Sequence, residues 1–211
     1  MKMAQTEPEQ AGPEQTGSES KPGAAVDVDL PRRIVLTGFM GAGKTTVGNL
    51  LAQRLAWQFL DADTEIESAT GATIAQLFQE RGEPWFRQLE RETIERLLSV
   101  DFVVLALGGG AIEEKRTRDL LLTARRTRLI HLEASLETVL ERCAGTESIR
   151  PVLQDRLNLE NRYQRRLPLY RQSHITIPVD ALHPSAVVDA ILAVLNADPV
   201  LNTDSAAQTS R

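Results

Sequence analysis

One segment constrains the fold more than any other: a short apolar strand pattern that runs directly into a glycine-rich loop and then into an apolar helix pattern. Residues 33–37 read RIVLT, residues 38–45 read GFMGAGKT, and apolar positions continue from Val47 to Leu55. The loop fits G-x-x-x-x-G-K-[ST], whose glycines let the backbone wrap around phosphate oxygens at a helix N-terminus. In such a loop Lys44 supplies charge to the β- and γ-phosphates, and the Thr45 hydroxyl is a Mg²⁺ ligand. The sequence therefore predicts a P-loop that binds a nucleoside triphosphate.

Short apolar runs alternate with amphipathic segments on both sides of this loop. The predicted buried strands are Ile34–Leu36, Gln58–Leu60, Phe102–Leu107, Leu129–Leu132 and Ile175–Ile177. The predicted helices are Lys44–Ala56, Ile74–Glu80, Pro84–Val100, Glu114–Arg125, Leu136–Arg142, Asp155–Arg171 and Pro184–Asn196. Alternating strands and helices indicate a mainly parallel sheet that is covered on both faces. Residues 63–100 show no clear strand, which predicts a helical insertion beside the active cleft.

The charge is concentrated outside this central part. Of the net charge of −5, residues 1–30 contribute −4 and residues 197–211 contribute −1, so residues 31–196 are neutral and give no general case for nucleic-acid binding. Both ends are polar and are predicted to be disordered tails, the first of them acidic. The chain has no apolar run of 18 residues, so we expect no membrane span. A single cysteine and the absence of a signal-peptide pattern lead us to expect a cytoplasmic protein.

A P-loop alone leaves several classes of protein open. A GTPase would carry an Asn-Lys-x-Asp motif, which this sequence lacks, and a typical ATPase would end a strand on an aspartate. Here the strand at 102–107 runs instead into Gly108-Gly109-Gly110. Three glycines at this point bring the backbone close to a ligand at the mouth of the sheet, and the alternative is a plain flexible turn.

Two carboxylates follow the strand at 58–60, namely Asp61 and Asp63. Alternate residues on an extended stretch point the same way, so both acids are expected to face the cleft of the phosphate loop. One acid can support Mg²⁺ through water while the other orients or deprotonates an attacking hydroxyl. The alternative is that these aspartates only cap the helix that follows.

Several arginines are candidates for binding small anions, because the guanidinium fork matches a carboxylate. Arg87 lies three residues before Glu90 on a predicted helix, so Glu90 can fix its orientation, although a solvated helix face is the alternative. Arg166 stands next to Arg165 in a charged helix, and residue type alone does not separate the two. Residues 144–153 read as a loop that carries Arg150, which suits a lid closing over a nucleotide.

Seven short stretches occur in a characteristic order between residues 32 and 196. They are GFMGAGKTTVG at 38–48, DADxxIE at 61–67, TGxxI at 70–74, GExxFRxxE at 82–90, LGGGA at 107–111, RPxL at 150–153 and RxPLY at 166–170. Together they resemble the shikimate kinases. The resemblance implies a P-loop kinase-like three-layer α/β/α fold with a five-stranded parallel sheet. It further implies a helical substrate-binding region at about 63–100 and a mobile lid at about 144–156, within a kinase domain that spans residues 31–196.

The resemblance also implies roles for individual residues. ATP would be held by Gly41, Ala42, Gly43, Lys44, Thr45, Thr46 and, from the lid, Arg150. Mg²⁺ would be held by Thr45 and Asp61. Shikimate would be bound by Asp63, by Gly109 through its backbone, and by Arg87 and Arg166 at its carboxylate. The catalytic residues would be Asp63 as the base, Lys44 and Arg150. Arg142 is a candidate for flanking adenine, although its spacing to Arg150 is one residue longer than the family pattern and Cys143 stands at the expected position.

The implied reaction is transfer of the ATP γ-phosphoryl group to the 3-hydroxyl of shikimate, in the biosynthesis of aromatic amino acids. Two alternatives stay open at this point: a kinase for another small hydroxy or sugar acid such as gluconate, and a nucleotide-binding regulator that has lost catalysis. We expect a monomer, because no strong apolar stripe demands a partner.

Overall fold

A parallel sheet of five strands forms the centre of the protein in the computed structural model, which describes residues 31–144 and 155–197. The strands are β1 (Arg33–Thr37), β2 (Gln58–Asp61), β3 (Val103–Ala106), β4 (Thr127–Glu133) and β5 (Ile175–Pro178). The described helices are α1 (Lys44–Leu55), α2 (Ala62–Thr70), α3 (Ile74–Arg81), α4 (Glu83–Leu97), α5 (Lys115–Thr123), α6 (Leu136–Cys143), α7 (Arg156–Tyr170) and α8 (Pro184–Ala197). A single 3₁₀ turn spans Ala111–Glu113.

The spatial order of the strands is β2-β3-β1-β4-β5, and every pair is parallel. The chain leaves β1 through α1 toward β2 on one side, whereas it leaves β3 through α5 toward β4 on the other side. Right-handed crossovers in opposite directions place these helices on opposite faces of the sheet. The carboxyl ends of β1 and β3 therefore border the crevice in which ligands of open α/β sheets bind. The predicted three-layer fold with five parallel strands is confirmed.

The main core fills both faces of the sheet, where β3 is buried along its whole length. A second, smaller core lies under the helices between β2 and β3, and consists of Ile66, Leu77 and Phe86. Its Phe78 and Phe86 rings lie 4.4 Å apart, which fixes α3 against α4. The helical insertion thus has an anchor of its own beside the sheet edge.

Local sequence signals explain how these helices begin. Thr73 and Gln76 form a reciprocal capping box at the start of α3. Pro84 occupies the first turn of α4, where its missing N–H costs no helical hydrogen bond. Ser135 and Asp155 cap α6 and α7 through their side-chain oxygens.

One local prediction was wrong. The stretch 61–63 is not extended, because β2 ends at Asp61 and α2 begins at Ala62. The Asp61 carboxylate accepts hydrogen bonds from the backbone N–H groups of Asp63 and Thr64, which makes it the N-cap of α2. The helix starts here because Asp is a favoured cap and competes successfully with continuation of the strand.

Several expectations fall on parts of the chain outside the described residues. These are the tail at residues 1–30, the tail at residues 197–211 apart from Ala197, which ends α8, Arg150, and the predicted lid apart from Ala144, Asp155 and Arg156. Within residues 31–144 and 155–197, no helix is long and apolar enough to cross a bilayer.

Candidate active site

The phosphate loop occupies the bend between β1 and α1. Gly41 and Gly43 have φ values of 73° and 93°, in the left-handed region that favours glycine. The Lys44 ammonium donates to the backbone carbonyls of Gly38 at 2.8 Å and Phe39 at 3.1 Å, which holds it across the loop. The N-cap of α1 is Gly43, which has no side chain to cap the helix. The first N–H groups and the positive end of the helix dipole are therefore available to a phosphate group.

Thr45 and Asp61 form an oxygen pair at the foot of this loop. The Thr45 hydroxyl donates to Asp61 Oδ2 at 3.1 Å, while Asp61 Oδ1 caps α2. A hydroxyl and a carboxylate are hard oxygen donors, and Mg²⁺ prefers one or two such protein ligands together with phosphate oxygens and water. The pair therefore fits a magnesium site, and Asp61 serves as helix cap and site residue at once.

Asp63 lies in the first turn of α2 and lines the same cavity. Burial raises the pKa of Asp63 above its ordinary value, and repulsion by Asp61 adds to this, whereas Lys44 acts in the opposite direction. A carboxylate with a raised pKa is a stronger base, so Asp63 is suited to accept a proton from a hydroxyl placed between it and the phosphate loop.

Two of the three glycines after β3 make room for neighbouring side chains. A methyl group on Gly108 would lie 2.6 Å from Asp63 Oδ1, and one on Gly110 would collide with the Arg87 guanidinium. A methyl group on Gly109 would lie 3.7 Å from Arg166 Nη1, which is an ordinary contact. Close approach of the backbone to Asp63 and Arg87 therefore accounts for Gly108 and Gly110.

Arg87 is held on α4 by two acids. Its guanidinium donates to Glu90 at 2.7 Å and to Glu83 at 3.1 Å, and it lies over the Phe78 and Phe86 rings. Glu90 is only 2% exposed, and burial raises its pKa to about 7 in spite of the opposing charge of Arg87. The orientation of Arg87 by Glu90, expected from their spacing, is confirmed.

Arg166 differs sharply from its neighbour on α7. The Arg165 side chain is 66% exposed, whereas the Arg166 side chain is 7% exposed. Both pair with Glu113, and Arg166 donates to it at 2.6 Å. Attraction to these arginines lowers the pKa of Glu113 although burial alone would raise it. Among the described residues the buried Arg166 Nε has no hydrogen-bond partner, which leaves a donor for a bound anion.

A cavity of about 1090 Å³ joins these features. It is lined at one end by the loop residues Gly41–Thr46 and by Asp61, Asp63 and Gly109. Its other end is lined by Arg142, Val179, Leu182, Pro184 and Val187. Arg87 and Arg166 are not part of the lining but lie directly behind the glycine run. Arg150 lies outside the described residues.

Known proteins resemble this chain in sequence over most of its length. The family model described as shikimate kinase matches residues 40–196. A shikimate kinase from Persephonella marina is 39% identical over 162 residues, which cover 76% of this chain and 97% of that protein. The chain belongs to the shikimate kinase family. The resemblance inferred from the sequence motifs is thereby confirmed.

Two solved structures resemble this chain to different degrees. A shikimate kinase from Acinetobacter baumannii in complex with shikimate has a TM-score of 0.74 and 37% identity, and covers 81% of this chain and 96% of that one. A gluconokinase from Sinorhizobium meliloti has a TM-score of 0.51 and 19% identity, covering 80% and 93%. At that identity the second likeness shows the fold alone.

Four features of the candidate site were not predicted from the sequence. Glu113 pairs with Arg166, Tyr170 donates to the Gly109 carbonyl, and Glu67 accepts from the Ile74 backbone at the cavity wall. The apolar end near Val179 is the fourth, and there Arg142 donates to the Val179 carbonyl at 2.8 Å. The charged residues of the predicted helix Asp155–Arg171 indicated ion pairs, but they did not identify the partners.

Proposed function

We propose that this chain transfers the γ-phosphoryl group of ATP to the 3-hydroxyl of shikimate, giving shikimate 3-phosphate and ADP. The observation that carries the proposal is the position of Asp63. It lines the cavity together with the phosphate loop, and the charges of Lys44 and Arg87 both oppose the rise that burial causes in its pKa. It also lies against Gly108, in the same glycine run that lies against Arg87 and Arg166. A hydroxy acid bound along this run would present a hydroxyl to Asp63 and a carboxylate to the arginines.

On the nucleotide side, the proposed phosphate ligands are Gly41, Ala42, Gly43, Lys44, Thr45 and Thr46. Thr45 and Asp61 are the proposed Mg²⁺ ligands, and the ion would offset negative charge on the phosphates when bound. Arg142 and the apolar cavity end at Val179 and Leu182 suit the base of the nucleotide. Arg150, in the proposed lid at about 144–156, would reach the phosphates.

On the acceptor side, Asp63 accepts the proton of the attacking hydroxyl while the new P–O bond forms and ADP leaves. Arg87 and Arg166 bind the carboxylate through paired N–H donors, and the Gly109 backbone contacts the substrate. Lys44 balances charge on the transferring group. Because phosphoryl transfer needs little covalent chemistry from the protein, catalysis rests on this positioning and charge stabilisation.

We also propose a domain organisation and a biological setting for the reaction. Residues 31–196 form the kinase domain, and the helices between residues 63 and 100 form its acceptor-binding region. We propose a cytoplasmic monomer. In this setting the reaction belongs to the biosynthesis of aromatic amino acids.

A coupled ADP-release assay tests the proposal. The purified chain is supplied with ATP and Mg²⁺ and with shikimate, gluconate or no acceptor, and product identity is checked by mass spectrometry. We expect ADP release only when shikimate is the acceptor. Turnover only with gluconate would identify a kinase of another hydroxy acid, and nucleotide binding without acceptor-dependent turnover would identify a silent regulator.

A further inference from the structure

Tyr170 lies at the end of α7, one helical turn after Arg166, and is 1% exposed. Its phenol oxygen donates a hydrogen bond to the Gly109 carbonyl at 2.6 Å, a contact between residues that are 61 positions apart. Gly109 borders the cavity, so this bond ties the end of a helix to the turn that meets the acceptor. A buried phenol is a strong, directional donor to a carbonyl.

The same phenol lies near Arg166. Residues four apart on a helix are neighbours, and the charge of Arg166 opposes the rise that burial causes in the pKa of the Tyr170 phenol. A methyl group on Gly109 would lie 3.7 Å both from Tyr170 Oη and from Arg166 Nη1. The phenol and the guanidinium therefore both lie against Gly109, behind the cavity wall.

The Tyr170 ring is itself fixed from the opposite side. It stacks on His131 of β4, with ring centroids 5.1 Å apart and an angle of 19° between the ring planes. Burial lowers the pKa of His131 to about 4, so the imidazole is neutral at physiological pH. Burial also raises the pKa of Tyr170, although the charge of Arg166 opposes this, so the phenol keeps the proton that it donates.

Glu113 completes the support of Arg166. It accepts from Nη2, while Nη1 lies toward Gly109 and Tyr170. The guanidinium is thus held in place from two directions, and Nε stays without a partner among the residues that the structure describes.

We propose that Tyr170 is a positioning residue for the acceptor: through its phenol it fixes the Gly109 carbonyl and the Arg166 guanidinium relative to each other, so that the substrate meets a preformed carboxylate site. This inference rests on the proposed function, because Arg166 and Gly109 are its acceptor ligands. Tyr170 itself does not touch the substrate. Preorganisation of this kind lowers the cost of binding rather than the barrier of the chemical step.

The test is Tyr170→Phe, which removes the hydroxyl and keeps the ring stacked on His131. Loss of one net hydrogen bond predicts a rise of about fivefold in the shikimate KM, with kcat and the ATP KM changed by less than about twofold. Equilibrium titration with shikimate checks the same shift in Kd without catalysis. An unchanged KM and Kd would overturn the inference.

Tyr163→Phe is the matched control. Tyr163 lies on the same helix, is 8% exposed, and donates to the Ala134 carbonyl at 3.0 Å, away from Gly109. Both variants lose a buried phenol–carbonyl bond, so their melting temperatures are expected to fall by similar amounts. Only Tyr170→Phe is expected to weaken shikimate binding, and an equal loss in Tyr163→Phe would mean that general loosening is responsible.

A double-mutant cycle tests the route through Arg166. In an Arg166→Lys background, where the two-pronged guanidinium contact is absent, Tyr170→Phe is expected to change the shikimate KM by less than about twofold. A full fivefold effect in that background would show that Tyr170 does not act through Arg166. The wild-type assay with shikimate decides the proposed function separately, because it involves no variant.

Discussion

The two halves of the proposed active site are built in opposite ways. The phosphate half comes from one uninterrupted stretch between β1 and α1, in which Lys44 bonds carbonyls five and six residues away. The acceptor half is assembled from α2, α4, the glycine run and α7, and its ion pair between Arg166 and Glu113 joins residues 53 positions apart. A local site is fixed by backbone geometry alone, whereas a dispersed site depends on how the helices pack.

The halves also differ in how charge is held. The phosphate half presents Lys44 and the start of a helix to solvent-facing space, with the carboxylates nearby. The acceptor half holds its arginines against acids, the buried Glu90 for Arg87 and the partly buried Glu113 for Arg166. Paired arginines keep one geometry before the substrate arrives, so variants of the two halves are expected to affect different kinetic constants.

The largest effect is expected where the halves meet. Asp63→Asn keeps the shape of the side chain but removes the base, so kcat is expected to fall by about 1000-fold. Nucleotide affinity, measured by displacement of a fluorescent ATP analogue, is expected to stay within about threefold of wild type, since the phosphate loop is unchanged. Wild-type turnover in this variant would rule out Asp63 as the base.

Arg87→Ala tests whether the acceptor half affects shikimate binding without affecting ATP binding. Loss of a charged hydrogen-bonding group predicts a rise of about 30-fold in the shikimate KM, with the ATP KM nearly unchanged. Arg91→Ala is the control, because Arg91 lies on the same helix and pairs with Glu114 instead. A comparable rise in the shikimate KM and the ATP KM in Arg87→Ala would show that the two halves do not act separately.

Arg142→Ala probes the nucleotide half away from the phosphates. Its bond to the Val179 carbonyl predicts a rise of about fivefold in the ATP KM and no change in the shikimate KM. Arg54→Ala serves for comparison, since Arg54 makes an exposed ion pair with Asp189 and is expected to leave both constants unchanged. An ATP KM equal to that of wild type would show that Arg142 does not contribute to nucleotide binding.

The smallest effect concerns stability and pH. Burial raises the pKa of Glu90 from an ordinary value of 4.5 to about 7, so between these pH values the folded protein keeps a proton that the unfolded chain loses. The stability contributed by this group is complete below pH 4.5 and is lost as the pH rises through 7.

Glu90→Gln removes this titration while keeping a polar partner for Arg87. We expect the melting temperature of the variant to fall less between pH 5 and pH 8 than that of wild type, by about 2 °C or more. Parallel curves of melting temperature against pH would contradict the assignment to Glu90.

The same contrast explains what the sequence could predict. The phosphate loop, the five strands and the helical stretch after residue 63 depend on local patterns, and the structure has them within a few residues of the predicted bounds. Phe102 falls outside β3 because it adopts a positive φ of 58°, which no periodicity indicates. Helix capping by Asp61 or Asp63 was the alternative that the sequence left open, and the backbone shows that Asp61 is the residue that caps α2.

The acceptor half was predicted through resemblance, and physical reasoning explains why. Arg165 and Arg166 are identical as residue types, and only helix packing makes one exposed and the other buried. The contact of Tyr170 with Gly109 depends on the approach of α7 to a turn far away in sequence. Glu90 was found from local spacing because its partner lies one helical turn away on the same element.

The placement of the strand and helix ends has a practical consequence for immobilised enzyme. β1 begins at Arg33, about 13 Å of extended chain before the phosphate loop, and α8 runs from Pro184 at the cavity wall to Ala197, a rise of about 20 Å. Arg33 and Ala197 therefore lie away from the carboxyl ends of the strands, where the cavity is. A solid support or reporter attached beside either residue would leave the path by which small molecules diffuse in and out open.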